Sequence, residues 1–278
     1  MPNVGYHAAR WEGRLRRGAY QALLPAIAQR KVEVPRAVPL EVYSYSGEAM
    51  LPEQVRSIRS FLRYVGRPER FIVVTDGSHS ASSIDLLKKI DPVVSIRPTG
   101  ERLPSDLPER FRHYVTTYPM GKQLGLIMSL PRRGPAFYVD SDVLFFPGAA
   151  NFWPDSSATK APAFYLPDCQ DSSADSRVFR SAEEALRPVN SGLLLLYRPL
   201  DWSLAIQRFL EMNEEPNFFT NQTLVHLVMH ANGALPLDPA RFVLQLDDQF
   251  IYPDRYAGPG LVLRHYVNPV RHKFWTTL

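Results

Sequence analysis

Cysteine is almost missing from this chain: Cys169 is the only one in 278 residues. That excludes an internal disulfide framework and a thiolate metal cluster, and it points to a reducing, cytoplasmic setting. No run reaches the roughly 18 apolar residues of a membrane-spanning helix, and the first residues show no apolar secretory core. The glycine signatures of nucleotide sites are lacking too. No Gly-x-Gly-x-x-Gly follows the first strand-like run and no Gly-x4-Gly-Lys-Ser/Thr occurs anywhere, so neither a dinucleotide-binding fingerprint nor a P-loop is supported. Charge of one sign is also short. A net +4, evenly spread, suits an anionic ligand or surface but does not argue for nucleic acid.

What is present is an ordinary globular composition, 45% hydrophobic and 22% charged, with enough chain to bury a substantial core. Twenty-five prolines announce long, extended connections. Residues 1–31 read as a helix with Leu15, Ala19, Leu23 and Ile27 on one side and Arg10, Arg14, Arg16 and Arg17 supplying charge. Such a segment either docks on its own domain by one face or lies on an anionic membrane as a peripheral contact. The spacing divides the chain into an N-terminal helical segment, 1–38, and a single domain, 39–278.

From Leu40 the pattern alternates. Strands are predicted over 40–45, 71–74 and 92–96, and helices over 51–65, 80–90 and 120–130, with Arg97–Tyr118 irregular between them. A long apolar strand then spans 137–146. Beyond it come strands at 163–166 and 193–197, helices at 201–212 and 218–231, and a basic-aromatic tail. This order argues an open α/β sheet, mostly parallel, with helices on both faces. In such sheets ligands bind beyond the carboxyl ends of the strands. The polar tails Ser44-Tyr45-Ser46, Thr75-Asp76-Gly77 and Asp140-Ser141-Asp142 all fall there.

The last of these carries the most chemistry. Two carboxylates one residue apart interrupt Phe137-Tyr138-Val139 and Val143-Leu144-Phe145-Phe146. Desolvating both costs several kcal/mol each unless a cation compensates, and oxygen ligands suit Mg²⁺ or Mn²⁺. A solvated polar turn between two short strands fits the same three residues.

Tyr138-Val139-Asp140-Ser141-Asp142, then Val189-Asn190-Ser191-Gly192-Leu193, then Asn221-Gln222, then His265 and Lys273-Phe274-Trp275 follow one another in an order that resembles GT-A-fold glycosyltransferases. The pattern is nearest to the glycogenin and lipopolysaccharide-galactosyltransferase group, and it spans about Leu40 to Trp275. The resemblance implies a GT-A type, Rossmann-like, open mixed sheet. It also implies a hexosyltransferase-like enzyme that moves a sugar from a nucleotide donor, a UDP-sugar, to a hydroxyl on a glycan or glycolipid. Asp140, Asp142 and His265 would then hold Mn²⁺ or Mg²⁺. By their place at strand ends Ser44, Tyr45 and Asp76, and on the helix before the acidic strand Lys122, would contact the donor nucleotide together with Ser141, Lys273 and Trp275, with Arg271 and His272 as further cations. Asn190, Ser191, Gly192 and Gln222 would meet sugar hydroxyls.

This chain departs from the family in placing Asn221 where an acidic residue precedes glutamine. Phe274 replaces a proline, and the stretch His265–Pro269 lacks the usual glycine. Asn221 cannot serve as a base for inversion. Asp168, Asp171, Asp247 and Asp248 remain as carboxylates, none ranked above the others, and the resemblance leans to a retaining transfer. Two other classes share these residues. One is a metal-dependent nucleotidyltransferase or phosphohydrolase; the other is a non-catalytic module that keeps the fold.

Overall fold

The computed structural model describes residues 3–100, 103–131, 133–151, 160–170 and 173–277. The N-terminal segment forms two helices rather than one. α1 (Val4–Ala22) opens on Asn3, whose side chain accepts from the Tyr6 amide at 3.0 Å. α2 (Leu24–Gln29) starts afresh because Pro25, in its first turn, has no N–H to continue α1. A Cβ at Gly13 would sit 2.6 Å from the His272 carbonyl, so only glycine lets α1 lie this close to the C-terminal segment.

Alternating elements follow: β1 (Ala37–Ser46), α3 (Leu51–Tyr64), β2 (Arg67–Thr75), α4 (Ala81–Lys88) and β3 (Val94–Pro98). Next come α5 (Glu109–Thr117), α6 (Pro119–Met128), β4 (Ala136–Val139), β5 (Val143–Phe145), β6 (Ala163–Pro167) and β7 (Val189–Leu196). The remainder is α7 (Ser203–Glu211), α8 (Thr220–Ala231), β8 (Leu235–Pro236), β9 (Phe242–Val243), β10 (Leu263–His265) and α9 (Lys273–Thr276). α5 lies in the stretch expected to be irregular. It is one short turn-pair held by Phe111, Tyr114 and Val115 at helical spacing, with Pro108 where a polar cap would have marked its start.

The main sheet has the order β3-β2-β1-β4-β7-β6-β8. β3, β2, β1 and β4 run parallel, β7 is antiparallel to both its neighbours, and β8 is parallel to β6. The mixed, mostly parallel α/β sheet expected from the sequence is what forms. Both of its faces are covered, and the alternation shows which residues do it. In β4 Phe137 and Val139 enter one core and Tyr138 the other; in β7 Leu193 and Leu195 part from Leu194 and Leu196 in the same way. Each such leucine, removed from water, contributes roughly 1.5–3 kcal/mol.

The single strand expected over 137–146 is two strands in two sheets. β4 belongs to the main sheet, whereas β5 joins a small sheet of order β5-β10-β9. The chain changes sheets at Asp140-Ser141-Asp142, just beyond the carboxyl end of β4. β1 and β4 flank the point where strand order reverses, so this corner lies at the sheet's switch point.

Candidate active site

The corner is held open by backbone bonds. The Asp140 amide donates to the Gly192 carbonyl at 2.8 Å, and the Tyr266 amide to the Asp142 carbonyl at 3.0 Å. Antiparallel pairing of β5 with β10 sets His265 opposite Val143, one residue past Asp142. Two distant parts of the chain thereby bring two carboxylates and an imidazole together. One ligand atom from each of Asp140, Asp142 and His265 lies within 4.8 Å of the others. His265 Nε2 is 3.0 Å from Asp142 Oδ1 and 3.8 Å from Asp140 Oδ2.

Neighbouring side chains fix this arrangement. Asn190, inside β7, turns its Oδ1 to the Gly192 amide at 2.9 Å and to His265 Nδ1 at 3.0 Å. That oxygen can only accept, so Nδ1 carries the proton and Nε2 is the nitrogen presented to the carboxylates. A Cβ on Gly192 would lie 2.3 Å from the His265 ring and 2.7 Å from Asp140 Oδ2, so glycine is required there by space. Asp140 Oδ1 accepts from the Tyr138 hydroxyl at 2.7 Å and from Gln123 Nε2 at 2.9 Å. Gln123 is held in turn by Asn221, which donates to its Oε1 at 2.6 Å. Arg271 donates to Asp142 Oδ2 at 2.5 Å.

The electrostatics follow from these contacts. Burial would raise the Asp142 carboxyl, but His265 and Arg271 outweigh it and pull the group down to about 2. Loss of solvent lifts Asp140 above its ordinary value, with His265 opposing and Asp142 adding to the rise. Burial would lower the His265 imidazole; the Asp142 carboxylate beside it prevails and holds it above its ordinary value.

These groups form one wall of a cavity of about 330 Å³. Asp168 lines it too, its Oδ2 accepting from Asn190 Nδ2 at 2.9 Å and Gln222 Nε2 at 3.1 Å. Gln222 is anchored further by donating to the Ser173 carbonyl at 2.8 Å. Met120, Phe218, Phe219, Leu244 and Val267 supply apolar lining.

Of the residues singled out from sequence, Asp140, Asp142, His265, Asn190, Ser191, Gly192 and Gln222 meet at this cavity, joined by Asp168 and Arg271. Several expected donor contacts do not. Ser44 is buried under α3, donating to Gln54 Oε1 at 2.8 Å. Tyr45 has a buried, unpartnered hydroxyl, pushed up to about 12 by burial and by Asp76. Asp76 folds onto its own turn, accepting from the Ser78 amide at 2.8 Å. Lys122 sits one residue before the helix position that faces inward, which is Gln123. Ser141 is buried between the two acids.

Lys273 and Trp275 need correction. The Lys273 ammonium is fully buried and donates to the carbonyls of Ile251 at 3.0 Å and Pro253 at 2.7 Å, so it is a tie between segments and does not reach the cavity. Trp275 packs on Phe274 and Tyr20, with Nε1 donating to Glu53 at 3.2 Å. The cation that does line the cavity is Arg271, because the turn Asn268–Val270 ends there and α9 carries the next residues inward. His272 lines a separate groove beside α1. Asp247 and Asp248 lie away from the cavity, and Asp171 falls outside the described residues. Gln123 and the Phe218-Phe219 pair were missed. Polar glutamine within the buried face of α6 was the available signal for the first; nothing local marked the second.

No family profile and no curated protein matches the chain. Solved structures do. The galactosyltransferase LgtC, determined with donor and acceptor sugar analogues, is 15% identical with a TM-score of 0.55, over 82% of this chain and 87% of that one. GlyE, a glycosyltransferase of Streptococcus pneumoniae TIGR4, is 12% identical with a TM-score of 0.51, over 86% of this chain and 60% of that one. Mouse xyloside xylosyltransferase 1 is 13% identical with a TM-score of 0.50, over 85% and 99%. At such identities the likeness is one of architecture, and the chain has the GT-A fold anticipated from its motifs.

Proposed function

We propose that this protein is a metal-dependent glycosyltransferase that takes a sugar from a nucleotide diphosphate donor, a UDP-sugar, and passes it to a hydroxyl of a glycan or glycolipid. The observation that carries the reading is the Asp140–Asp142–His265 group at the switch point of a GT-A sheet, facing a cavity. Two carboxylates and one imidazole whose Nδ1 is already committed to Asn190 suit Mn²⁺ or Mg²⁺. Those three residues would hold the ion, which when bound supplies a Lewis acid against the charge developing on the leaving diphosphate.

The chain's own residues do the rest. Arg271 brings a permanent positive charge to the cavity wall, where the same developing charge needs it. Asn190 and Gln222 hold one oxygen of Asp168 and the Gln170 amide the other at 2.9 Å, so the carboxylate is fixed at the cavity wall to orient sugar hydroxyls. Phe218 and Phe219 cover the apolar side and keep water from competing with the acceptor. We read the transfer as retaining. Asp168 is engaged through both oxygens by three amides, and the departing diphosphate oxygen is the base left to take the acceptor proton.

Incubation with a panel of nucleotide sugars and Mn²⁺, followed by chromatography, tests this directly. Release of nucleoside diphosphate with free or transferred sugar is expected. Release of nucleoside monophosphate and sugar phosphate would point instead to a phosphohydrolase or nucleotidyltransferase, and no turnover with bound nucleotide to a binding module. Retention is read from the anomer of the product; an inverted anomer would assign Asp168 as the base.

A further inference from the structure

The outward face of α1 is not built like the surface of a solvated helix. Its inward face carries Ala9 and Gly13, both buried. Outward, positions 4, 8, 11, 15, 18 and 22 keep helical spacing and read Val, Ala, Trp, Leu, Gly and Ala, with no polar side chain among them. Val4 is 73% exposed, Trp11 66% and Leu15 52%, and Leu23 closes the stripe at 58%. Phe250, 56% exposed and packed edge-on against Tyr6, widens it at the N-terminal end. So long an apolar stripe marks an interaction surface.

Cations border the stripe on both sides. Arg10, Arg14 and Arg17 run along one border and line a groove of about 260 Å³, in which Arg17 is paired with Glu53 at 2.6 Å and Arg271 with Asp142 at 2.5 Å. Along the other, Glu12 is neutralised by Arg16 at 2.6 Å, and Tyr20 lines a cavity of about 610 Å³. That cavity is also lined by Arg30, Lys31, Arg56, Arg59 and Arg63, with Glu33 as its only described carboxylate. Among the described residues none of these five cations has an ion pair. Arg56 is buried and donates to the carbonyls of Phe274 and Thr277, and Arg59 to the Arg30 carbonyl at 2.7 Å.

We propose that α1 is an interfacial helix seating the protein on an anionic phospholipid bilayer, its apolar stripe in the headgroup–acyl boundary and the two bordering cationic recesses on headgroup phosphates. Apolar residues with an indole, edged by arginines long enough to reach phosphate, fit that boundary. Arg10 and Arg14 on one border, and five cations against Glu33 in the recess on the other, fit the negative surface. A second copy is a poorer occupant, because pairing through this stripe would set like-charged borders against each other. Vesicle binding is read without donor or acceptor, so its outcome is independent of the catalytic reading.

The test is cosedimentation of the whole protein with vesicles of phosphatidylcholine alone or containing phosphatidylglycerol. Binding to the anionic vesicles is expected, weakened at least ~tenfold by Trp11→Ser with Leu15→Ser, by Arg59→Glu with Arg63→Glu, and by high salt. All four positions lie at the surface or on the cavity rim, and unchanged melting temperatures will show that the variants fold. Absence of binding to anionic vesicles, or binding indifferent to Trp11 and Leu15, would overturn the proposal. So would a dimer in sedimentation velocity that those two substitutions dissolve. Stabilisation by glycerol 3-phosphate alone, matching that by vesicles, would assign the recesses to a free phosphate compound instead.

Discussion

Arg264 and His265 are adjacent on the three-residue strand β10, yet they face two charged clusters of opposite design. Arg264 is wholly buried. It meets Asp248 through two bonds, 2.7 and 2.9 Å, and also Asp254 and the Gln245 carbonyl at 3.2 Å. The rings of Tyr256 and Tyr266 each lie 5.0 Å from its guanidinium. Lys273 completes that cluster 3.7 Å from Asp248. His265 faces a cluster with one open side: Asp140 keeps 25% of its side chain exposed toward the cavity, and its Oδ2 is 3.8 Å from the imidazole. A closed cluster has its charges enclosed by partners within the protein and can only hold segments together. An open one presents ligand atoms to something that arrives.

The largest effect expected from this contrast is on folding. Arg264→Met leaves two buried carboxylates with Lys273 as their one remaining described cation and should cost roughly 3–5 kcal/mol of stability by urea denaturation, with no dependence on added Mn²⁺. A loss under about 1 kcal/mol would make the closed cluster as dispensable as a surface pair. Next is Asp142→Asn, which removes one metal ligand and no volume. Mn²⁺-dependent nucleotide affinity should fall on the order of 100-fold, and undiminished affinity would remove Asp142 from the metal site. Smaller again is Asn190→Ala, which frees His265 Nδ1 to change tautomer. It should weaken Mn²⁺ binding about 10- to 100-fold, and unchanged affinity would deny Asn190 its orienting role.

The smallest is a pH effect on the closed cluster. Burial would raise the Asp254 carboxyl, but Arg264 and the Tyr266 hydroxyl prevail and hold it below its ordinary value. A depressed folded value means the stabilisation is complete above the unfolded carboxyl pKa, about 4, and is lost as pH falls through the lower folded value. The urea midpoint should therefore drop in that acid window, and less steeply in Arg264→Met. Equal slopes would remove Asp254 from the cluster's energetics.

The sequence showed the alternation of elements because leucine, valine and phenylalanine runs need cover on both faces. It showed the Asp140–Asp142 corner because charge inside such a run has few outlets. It reached His265 only through the family resemblance, and it did not rank Arg271 above Lys273. Those choices depend on which way β10 faces, set by pairing with β5 (Arg264 opposite Leu144), and on the turn Asn268–Val270 that follows. The donor contacts expected at Ser44, Tyr45 and Asp76 rested on position at strand ends alone. Position at a strand end does not say whether a hydroxyl turns toward the cavity or, like Ser44, beneath α3.

The most direct measurement is a calorimetric titration of nucleoside diphosphates, UDP first, with Mn²⁺ present or chelated, on the parent protein and Asp142→Asn. Binding that requires the ion and falls on the order of 100-fold in the variant is the expected result. Binding of equal strength with and without the ion, or undiminished in Asp142→Asn, would contradict the assignment of this open cluster as a metal and donor site.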